Sequence, residues 1–279
     1  MISATNISLA RKGKTLLDSL SCTFDRSEFV AIIGPNGAGK STLLQLLAGL
    51  FQPTSGNVDF LGKNAHAWLP NELAAHRAYL HQQQSVFESF TVEDVLLMGR
   101  SIHFTGFPKP EDSALVAGML RDLNLTHRKD QSFNSLSGGE QQRVQFARTL
   151  LQLQQSQRSS LENKVLFLDE PLNNLDLHYQ YGLLNMARDK VVGEGGLVIA
   201  VLHDLNITFQ YADRVIILHE GQKKMDAPTD VAMSPELLSA IYNIDIRKIE
   251  QDDQLPYFTI VNRQEFNPGY YRQAASLEK

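Results

Sequence analysis

A glycine-rich segment near the N-terminus carries the residue types that bind phosphate. Glycines let successive backbone N–H groups point into one concavity, and the N-terminus of a following helix adds about half a positive charge. In this pattern Lys40 is expected to reach the β- and γ-phosphates, and the Ser41 hydroxyl is expected to ligate Mg²⁺. The segment matches G-x-x-x-x-G-K-[ST] and predicts a nucleoside triphosphate site. Its nine residues are Gly34, Pro35, Asn36, Gly37, Ala38, Gly39, Lys40, Ser41 and Thr42.

The elements around this segment are those that such a site needs. An apolar run at residues 29–33 precedes it and suits a strand that is buried on both faces. A leucine-rich run from residue 41 to 50 follows and predicts a buried helix. Two further apolar runs predict inner strands, which end at Asp169 and His203. Open α/β sheets bind ligands beyond the C-terminal ends of their strands, so both side chains are expected near the phosphates.

A second glycine turn lies in the middle of the chain. Residues 136–143 are Leu-Ser-Gly-Gly-Glu-Gln-Gln-Arg, and Ser137 is typical of a helix N-cap. With Gly138 and Gly139 it forms a second helix start that can bind an anion. Taken alone, the turn is equally typical of a capped helix without a ligand.

Several motifs together resemble the ATP-binding subunits of ABC transporters over about residues 2–250. Residues 136–141 match the signature motif of that family, and residues 166–171 match its acidic strand motif. His203 matches the switch histidine, and Gln82 matches the glutamine loop, with Gln83 as the alternative register.

The resemblance implies an α/β fold, a P-loop NTPase core. This core would have a mixed sheet, an antiparallel β subdomain and an inserted α-helical subdomain at about residues 85–160. The ATP-binding domain is expected to span residues 1–250, and residues 251–279 form a tail to which no role is assigned. Two copies are expected to face each other head to tail, so that residues 137–139 of one copy close over the γ-phosphate held by the other.

The resemblance also assigns roles at the site, with ATP and Mg²⁺ as cofactors. Glu170 is the expected general base, and Lys40, His203 and Gln82 complete the catalytic set. Ser41, Gln82 and Asp169 are expected around Mg²⁺, where Asp169 holds the ion through water. The nucleotide-binding set is residues 34–42 with Ser137, Gly138, Gly139 and Asp176.

Two segments of the chain depart from the family pattern. Asn173 and Asn174 stand where many relatives have Ser-Ala, although the Leu-Asp pair that ends at Asp176 is kept. Near Arg11 many relatives stack an aromatic ring on adenine. A guanidinium plane can also stack on a base, but we expect the selectivity for the base to be weaker.

Composition excludes several classes of protein. Hydrophobic residues make up 43% and charged residues 20%, which is ordinary for a globular chain. The net charge of −5 does not favour nucleic acid, and the single cysteine, Cys22, excludes a disulfide framework. The apolar runs fall far short of the roughly 18 residues of a membrane helix, and the N-terminus lacks a signal-peptide profile. We therefore expect a soluble, cytoplasmic chain.

The resemblance implies the partners and the location. The expected partners are a second copy, an integral membrane permease dimer and, indirectly, a periplasmic or surface substrate-binding protein, with no nucleic acid. The expected location is the cytoplasmic face of the inner membrane, as a peripheral subunit.

Finer similarities point to a cargo. Residues 97–100, 202–206 and 211–214 resemble the group that serves iron-siderophore, haem and cobalamin importers. Residues 139–145 and the insertion at 151–164 resemble the hemin-import ATPases, so hemin is the predicted cargo, with a siderophore or cobalamin as the alternative.

Two other function classes share this nucleotide head. A DNA-maintenance ATPase would interrupt it with long heptad segments, which the sequence does not contain. A non-catalytic nucleotide switch is disfavoured because Glu170 and His203 are both present.

Overall fold

The structure is a computed structural model that describes residues 1–81, 90–156, 160–252 and 254–261. Two compact units divide the chain, Met1–Ala232 and Met233–Lys279. Each helix in the described ranges is too short or too polar to be a membrane span.

The chain forms twelve strands and nine α-helices in the described ranges. The strands are β1 (Ile2–Arg11), β2 (Lys14–Phe24), β3 (Glu28–Ile33), β4 (Ser55–Phe60), β5 (Lys63–Asn64), β6 (Arg77–Leu80), β7 (Val165–Asp169), β8 (Leu197–Val201), β9 (Arg214–His219), β10 (Gln222–Pro228), β11 (Ile246–Gln251) and β12 (Gln254–Ile260). The helices are α1 (Lys40–Leu47), α2 (Pro70–Ala74), α3 (Val92–Met98), α4 (Pro110–Asp122), α5 (Gly138–Leu153), α6 (Leu177–Ala187), α7 (Leu205–Tyr211), α8 (Thr229–Ala232) and α9 (Pro235–Tyr242).

A six-stranded sheet carries the site. Its order is β10-β9-β3-β8-β7-β6, in which the last five strands are parallel and β10 pairs antiparallel with β9. Strands β7 and β8 are buried along their whole length, and β3 is buried from its second residue. Burial on both faces explains why these three strands appear in the sequence as continuous apolar runs.

A four-stranded antiparallel sheet in the order β2-β1-β4-β5 packs against helix α1. Buried and exposed side chains alternate along β2 from Leu20 to Phe24, and an irregularity at Ser19 (φ 44°) shifts this pattern so that Leu17 is buried as well. The mixed sheet, this antiparallel sheet and the helices α3 to α5 confirm the predicted α/β architecture.

The buried Arg100 side chain links the end of α3 to α4 by an ion pair and to the end of α5 by hydrogen bonds. Arg100 lies just after α3 with 1% of its surface exposed, and its Nε donates to Asp112 Oδ1 at 2.9 Å. Its Nη1 donates to the carbonyls of Leu151, at 2.7 Å, and of Gln154. These bonds satisfy carbonyl groups at the end of α5, the helix whose other end carries Ser137.

The second unit contains α9 and the hairpin of β11 and β12. The strand β12 lies within residues 251–279, the segment predicted from the sequence only as a tail. The hairpin runs through residue 250, and the division there into an ATP-binding domain and a tail stays a prediction.

Candidate active site

The phosphate loop, residues 34–42, connects the end of β3 to the start of α1. Gly34 has φ +146°, and a Cβ atom there would lie 2.1 Å from the Leu218 carbonyl oxygen. Gly39 has φ +98°, and a Cβ atom there would lie 2.8 Å from the Leu16 carbonyl oxygen. Only glycine fits these two positions, so the curvature of the loop is set by the sequence.

Lys40 lies inside the concavity of this loop. Its Nζ donates to the carbonyl oxygens of Gly34, at 2.8 Å, and Pro35, at 2.9 Å. Burial lowers the pKa of Lys40, against the opposing effect of the Glu170 and Asp169 charges. Helix α1 begins with no side-chain cap and no acidic residue in its first turn. The loop therefore presents a positive helix end and an ammonium group to the same space.

Asp169 ends strand β7 beside the loop, and it is buried. Its Oδ1 accepts a hydrogen bond from Ser41 Oγ at 2.7 Å, and its Oδ2 accepts one from Tyr79 OH at 2.9 Å. Burial and the nearby Asp169 charge raise the pKa of the Tyr79 phenol, so Tyr79 stays a donor. The hydroxyl of Ser41 and the carboxylate of Asp169 are oxygen ligands of the kind that Mg²⁺ uses together with substrate phosphates.

Glu170 follows Asp169 and faces a different set of partners. Its Oε1 lies 2.8 Å from His203 Nε2, and its Oε2 accepts from Asn173 Nδ2 at 2.9 Å. Burial raises the pKa of Glu170, but these hydrogen bonds outweigh burial and bring it below its ordinary value. A carboxylate can only accept, so His203 Nε2 carries the hydrogen in this contact.

These residues share one cavity of about 630 Å³, a size within the range of small-molecule sites. Its lining contains residues of the phosphate loop, the pair Glu170 and His203, and two residues of strand β2. The lining residues are Lys14, Leu16, Asn36, Gly37, Gly39, Lys40, Ser41, Thr42, Glu170 and His203. Asp169 lies beneath this surface, in contact with Ser41.

The signature turn, residues 137–139, does not line that cavity. The Ser137 backbone N–H and hydroxyl both donate to Glu140 Oε2 at 2.9 Å, and the Glu140 N–H donates back to Ser137 Oγ at 3.3 Å. This capping box closes the start of α5 on itself. The hydrogen bond from the Ser137 backbone lowers the pKa of Glu140, with further help from the Ser137 hydroxyl.

A contact between α5 and the loop after β7 places the signature turn near residues 171–176. Gln142 Nε2 donates to the Pro171 carbonyl at 3.1 Å, and a Cβ atom on Gly139 would lie 3.2 Å from the Asn174 carbonyl oxygen. Asp176 caps α6 by accepting from the Tyr179 N–H at 3.1 Å, and it does not line the cavity either.

The predicted glutamine loop and the predicted adenine contact near Arg11 are not seen at the cavity in the described part of the chain. Gln82 and the alternative Gln83 lie outside the described residues. The guanidinium carbon of Arg11 lies 4.2 Å from the centre of the Phe51 ring, so Arg11 stacks on a ring of its own chain. Among the described residues, no Phe, Tyr or Trp lines the cavity.

Four residues at the site were missed as site residues. Lys14 and Leu16 on β2 line the cavity, and Asn173 and Tyr79 contact Glu170 and Asp169. Asn173 is three residues from Glu170, and its departure from the family pattern was visible in the sequence. Tyr79 is 90 residues from Asp169 along the chain, and β6 itself is too short to be recognised by periodicity.

Comparisons with known proteins agree with this architecture. The family model described as "ABC transporter" matches residues 17–173, more than half of the chain. The hemin import ATP-binding protein HmuV of Escherichia coli O157:H7 is 41% identical over 246 residues, which cover 88% of this chain and 93% of that protein. The protein of the same name from Rhodopseudomonas palustris strain BisB18 is 39% identical over 256 residues, covering 92% and 93%.

Solved structures are similar as well. One is described as an inward-facing conformation of a putative metal-chelate type ABC transporter; it superposes with a TM-score of 0.76 at 25% identity and covers 94% of this chain and 98% of its own. A dimeric ATP-binding cassette in a post-hydrolysis state, bound to ADP and Pi, has a TM-score of 0.69 at 25% identity and covers 82% and 99%. The chain therefore belongs to the ABC transporter family and folds as the ATP-binding domain of that family.

Proposed function

We propose that this chain is the ATP-hydrolysing subunit of an ABC importer that takes up hemin through a partner permease. The observation that carries the proposal is the joint lining of one cavity by Lys40, Glu170 and His203. A phosphate-binding ammonium and a carboxylate base then face the same space. The relatives in Escherichia coli and Rhodopseudomonas palustris are named hemin import ATP-binding proteins, which supports hemin as the cargo.

When phosphate binds, Lys40 exchanges its hydrogen bonds to loop carbonyls for hydrogen bonds to phosphate oxygens. In the structure its ammonium group is held by two carbonyl oxygens of the loop. Phosphate oxygens carry full charge and form stronger hydrogen bonds with an ammonium than neutral carbonyls do. The β- and γ-phosphates therefore draw Lys40 from Gly34 and Pro35, while the loop N–H groups and the start of α1 bind the remaining oxygens.

Ser41 and Asp169 fit the requirements of Mg²⁺. The Ser41 hydroxyl donates its hydrogen to Asp169 and keeps its lone pairs for the ion, and Asp169 acts through water. The ion supplies neutralisation of the negative charge on the phosphates. Gln82 as a third participant stays a prediction from the resemblance.

Glu170 accepts the proton of the attacking water in this proposal. Its lowered pKa keeps the carboxylate ionised at neutral pH, as a base must be. His203 donates its Nε2–H to one oxygen of Glu170 and borders the cavity, where this N–H can exchange that partner for an oxygen of the γ-phosphate. Asn173 holds the second oxygen, so the carboxylate is fixed from two sides.

The signature turn of a second copy completes the site. Within one chain this turn and Asp176 do not line the cavity that Lys40 lines, which fits a site shared between two copies. The structural relative bound to ADP and Pi is dimeric. We place the dimer on a permease dimer at the cytoplasmic face of the membrane, with a substrate-binding protein acting on the other side.

Glu170→Gln tests the chemistry. The variant keeps the shape of the side chain but cannot take a proton, so ATP still binds while hydrolysis falls by at least about 100-fold and an ATP-bound dimer accumulates. Glu72→Gln, an exposed change in α2, is the matched control and keeps normal hydrolysis. Normal hydrolysis by Glu170→Gln would show that the base is assigned wrongly.

Reconstitution with the partner permease tests the cargo. ATP hydrolysis by the complex in liposomes is measured with hemin, an iron siderophore and cobalamin, each with its binding protein. We expect stimulation by hemin. Stimulation by another metal chelate alone would favour the alternative cargo, which the metal-chelate type of the similar transporter structure supports.

A further inference from the structure

The carboxylate of Asp169 is held by two hydroxyl groups, of which only Ser41 belongs to a recognised motif. The second is Tyr79, whose OH lies 2.9 Å from Oδ2, on the oxygen that Ser41 does not contact. Asp169 is 3% exposed and Tyr79 is 8% exposed, so solvent has little access to this contact. We propose that Tyr79 is a positioning residue that fixes the Asp169 carboxylate in the orientation that Mg²⁺ requires. This rests on the proposed function, because it takes Asp169 as a Mg²⁺ residue.

The ring of Tyr79 is itself held in place from two sides. It stacks on Phe167 of the neighbouring strand β7, with ring centres 6.2 Å apart and an angle of 23° between the planes. On another side, the centre of the His81 ring lies 4.4 Å from that of Tyr79, with an angle of 46° between the planes. The two neighbouring rings therefore restrict the rotation of the phenol.

Asp169 is consequently held from two elements. Ser41 on helix α1 donates to Oδ1, and Tyr79 on strand β6 donates to Oδ2. The two hydroxyl groups link the helix that follows the phosphate loop to the ends of strands β6 and β7. Rotation of the carboxylate would break at least one of the two hydrogen bonds.

A purely structural explanation would be that a buried tyrosine OH needs some partner. Tyr211 is an example in the same molecule, because its buried OH donates to the neutral amide of Asn185 at 2.7 Å. Tyr79 instead donates to a charged group next to the phosphate loop. Bonds to residues that orient a metal ligand commonly contribute 10- to 100-fold in metal affinity or activity.

The test measures the advantage that Mg²⁺ gives to nucleotide binding. The full chain is titrated with a non-hydrolysable ATP analogue, once with Mg²⁺ and once with EDTA. The readout is the dissociation constant in EDTA divided by the dissociation constant in Mg²⁺. For Tyr79→Phe we expect this ratio to fall by about tenfold, or to one, while the affinity in EDTA stays the same. Tyr211→Phe is the matched control and keeps the ratio of the unmodified chain.

Other outcomes would overturn the inference. An unchanged or larger ratio would show that Tyr79 does not orient Asp169, and an equal loss in both titrations would show a general distortion of the pocket. If the unmodified chain gained nothing from Mg²⁺, the Mg²⁺ assignment in the proposed function would fail first. If Tyr79→Phe does not fold, Phe167→Leu decides, because it removes the ring on which Tyr79 stacks: a smaller fall in the ratio supports the inference and no change contradicts it.

Discussion

The phosphate loop and the signature turn are both glycine-containing turns that open a helix, yet they differ in how that helix begins. Helix α1 starts at Gly39 in the left-handed region, with no side-chain cap and no acidic residue in its first turn. Helix α5 starts at Ser137 with an extended backbone and a complete capping box. Glu140 also brings a negative charge to the first turn of α5.

This difference distinguishes the two turns, which the sequence pattern alone describes equally as helix starts that can bind an anion. An open helix end with a nearby ammonium binds phosphate strongly, whereas a capped end with a carboxylate has satisfied part of its own donors. Under the proposed function, the phosphate loop would therefore bind nucleotide within one chain. The signature turn would make a supplementary contact with a phosphate held by another copy.

The largest expected effect is the loss of ATP binding when Lys40, but not Ser137, is replaced. Lys40→Ala removes the ammonium group that lies inside the loop, and we expect ATP binding to the separate chain to be lost and hydrolysis to fall by on the order of 100-fold or more. Ser137→Ala should leave ATP binding by the separate chain unchanged and lower hydrolysis only. Nucleotide titration and phosphate release measure the two quantities. Equal loss of ATP binding in both variants would contradict the distinction.

A pair of glycine substitutions sharpens the comparison of backbones. Gly39→Ala places a Cβ atom 2.8 Å from the Leu16 carbonyl oxygen at φ +98°, and we expect it to lower the free energy of unfolding by about 1–3 kcal/mol. Gly138→Ala meets its nearest atom at 3.9 Å in a helical conformation, so its effect should stay within about 0.5 kcal/mol. Denaturant unfolding measures both. Equal costs would mean that the two turns are under similar strain.

The smallest expected effect concerns the cap of α5 and pH. Because the pKa of Glu140 is lowered in the folded chain, its stabilisation is present above the ordinary value of 4.5 and is lost as pH falls through the folded-state pKa. Glu140→Ala should therefore cost about 1 kcal/mol of unfolding free energy at pH 7 and less at pH 4. Denaturant unfolding at both pH values checks this. A cost that did not depend on pH would show that the charge contributes nothing to the cap.

Much of the site could be predicted because its determinants are local in sequence. The phosphate loop needs glycines at fixed positions, and Gly34 and Gly39 are where a side chain would collide with backbone. The strands β3, β7 and β8 are buried on both faces, so apolar runs reveal them and the polar residues that follow them. The hydrogen bond from Asn173 to Glu170 is also local, since it spans three residues, although Asn173 was not predicted as a site residue.

Contacts between distant segments could not be predicted in the same way. Tyr79 lies on a four-residue strand that begins with Arg77, too short for its alternation to stand out. Its partner Asp169 becomes a neighbour only because β6 pairs with β7, in the register Tyr79 to Phe167. The stacking of Arg11 on Phe51 likewise depends on tertiary packing rather than on spacing.

Mixing two inactive variants tests the central claim, that each active site takes its phosphate loop from one copy and its signature turn from another. Lys40→Ala lacks the first and Ser137→Arg lacks the second, so each alone should hydrolyse almost no ATP. In a mixture, a dimer of the two variants contains one intact pair, and random assortment should restore about a quarter of the normal rate. A mixture as inactive as its components would contradict the shared site, as would full activity of Ser137→Arg alone.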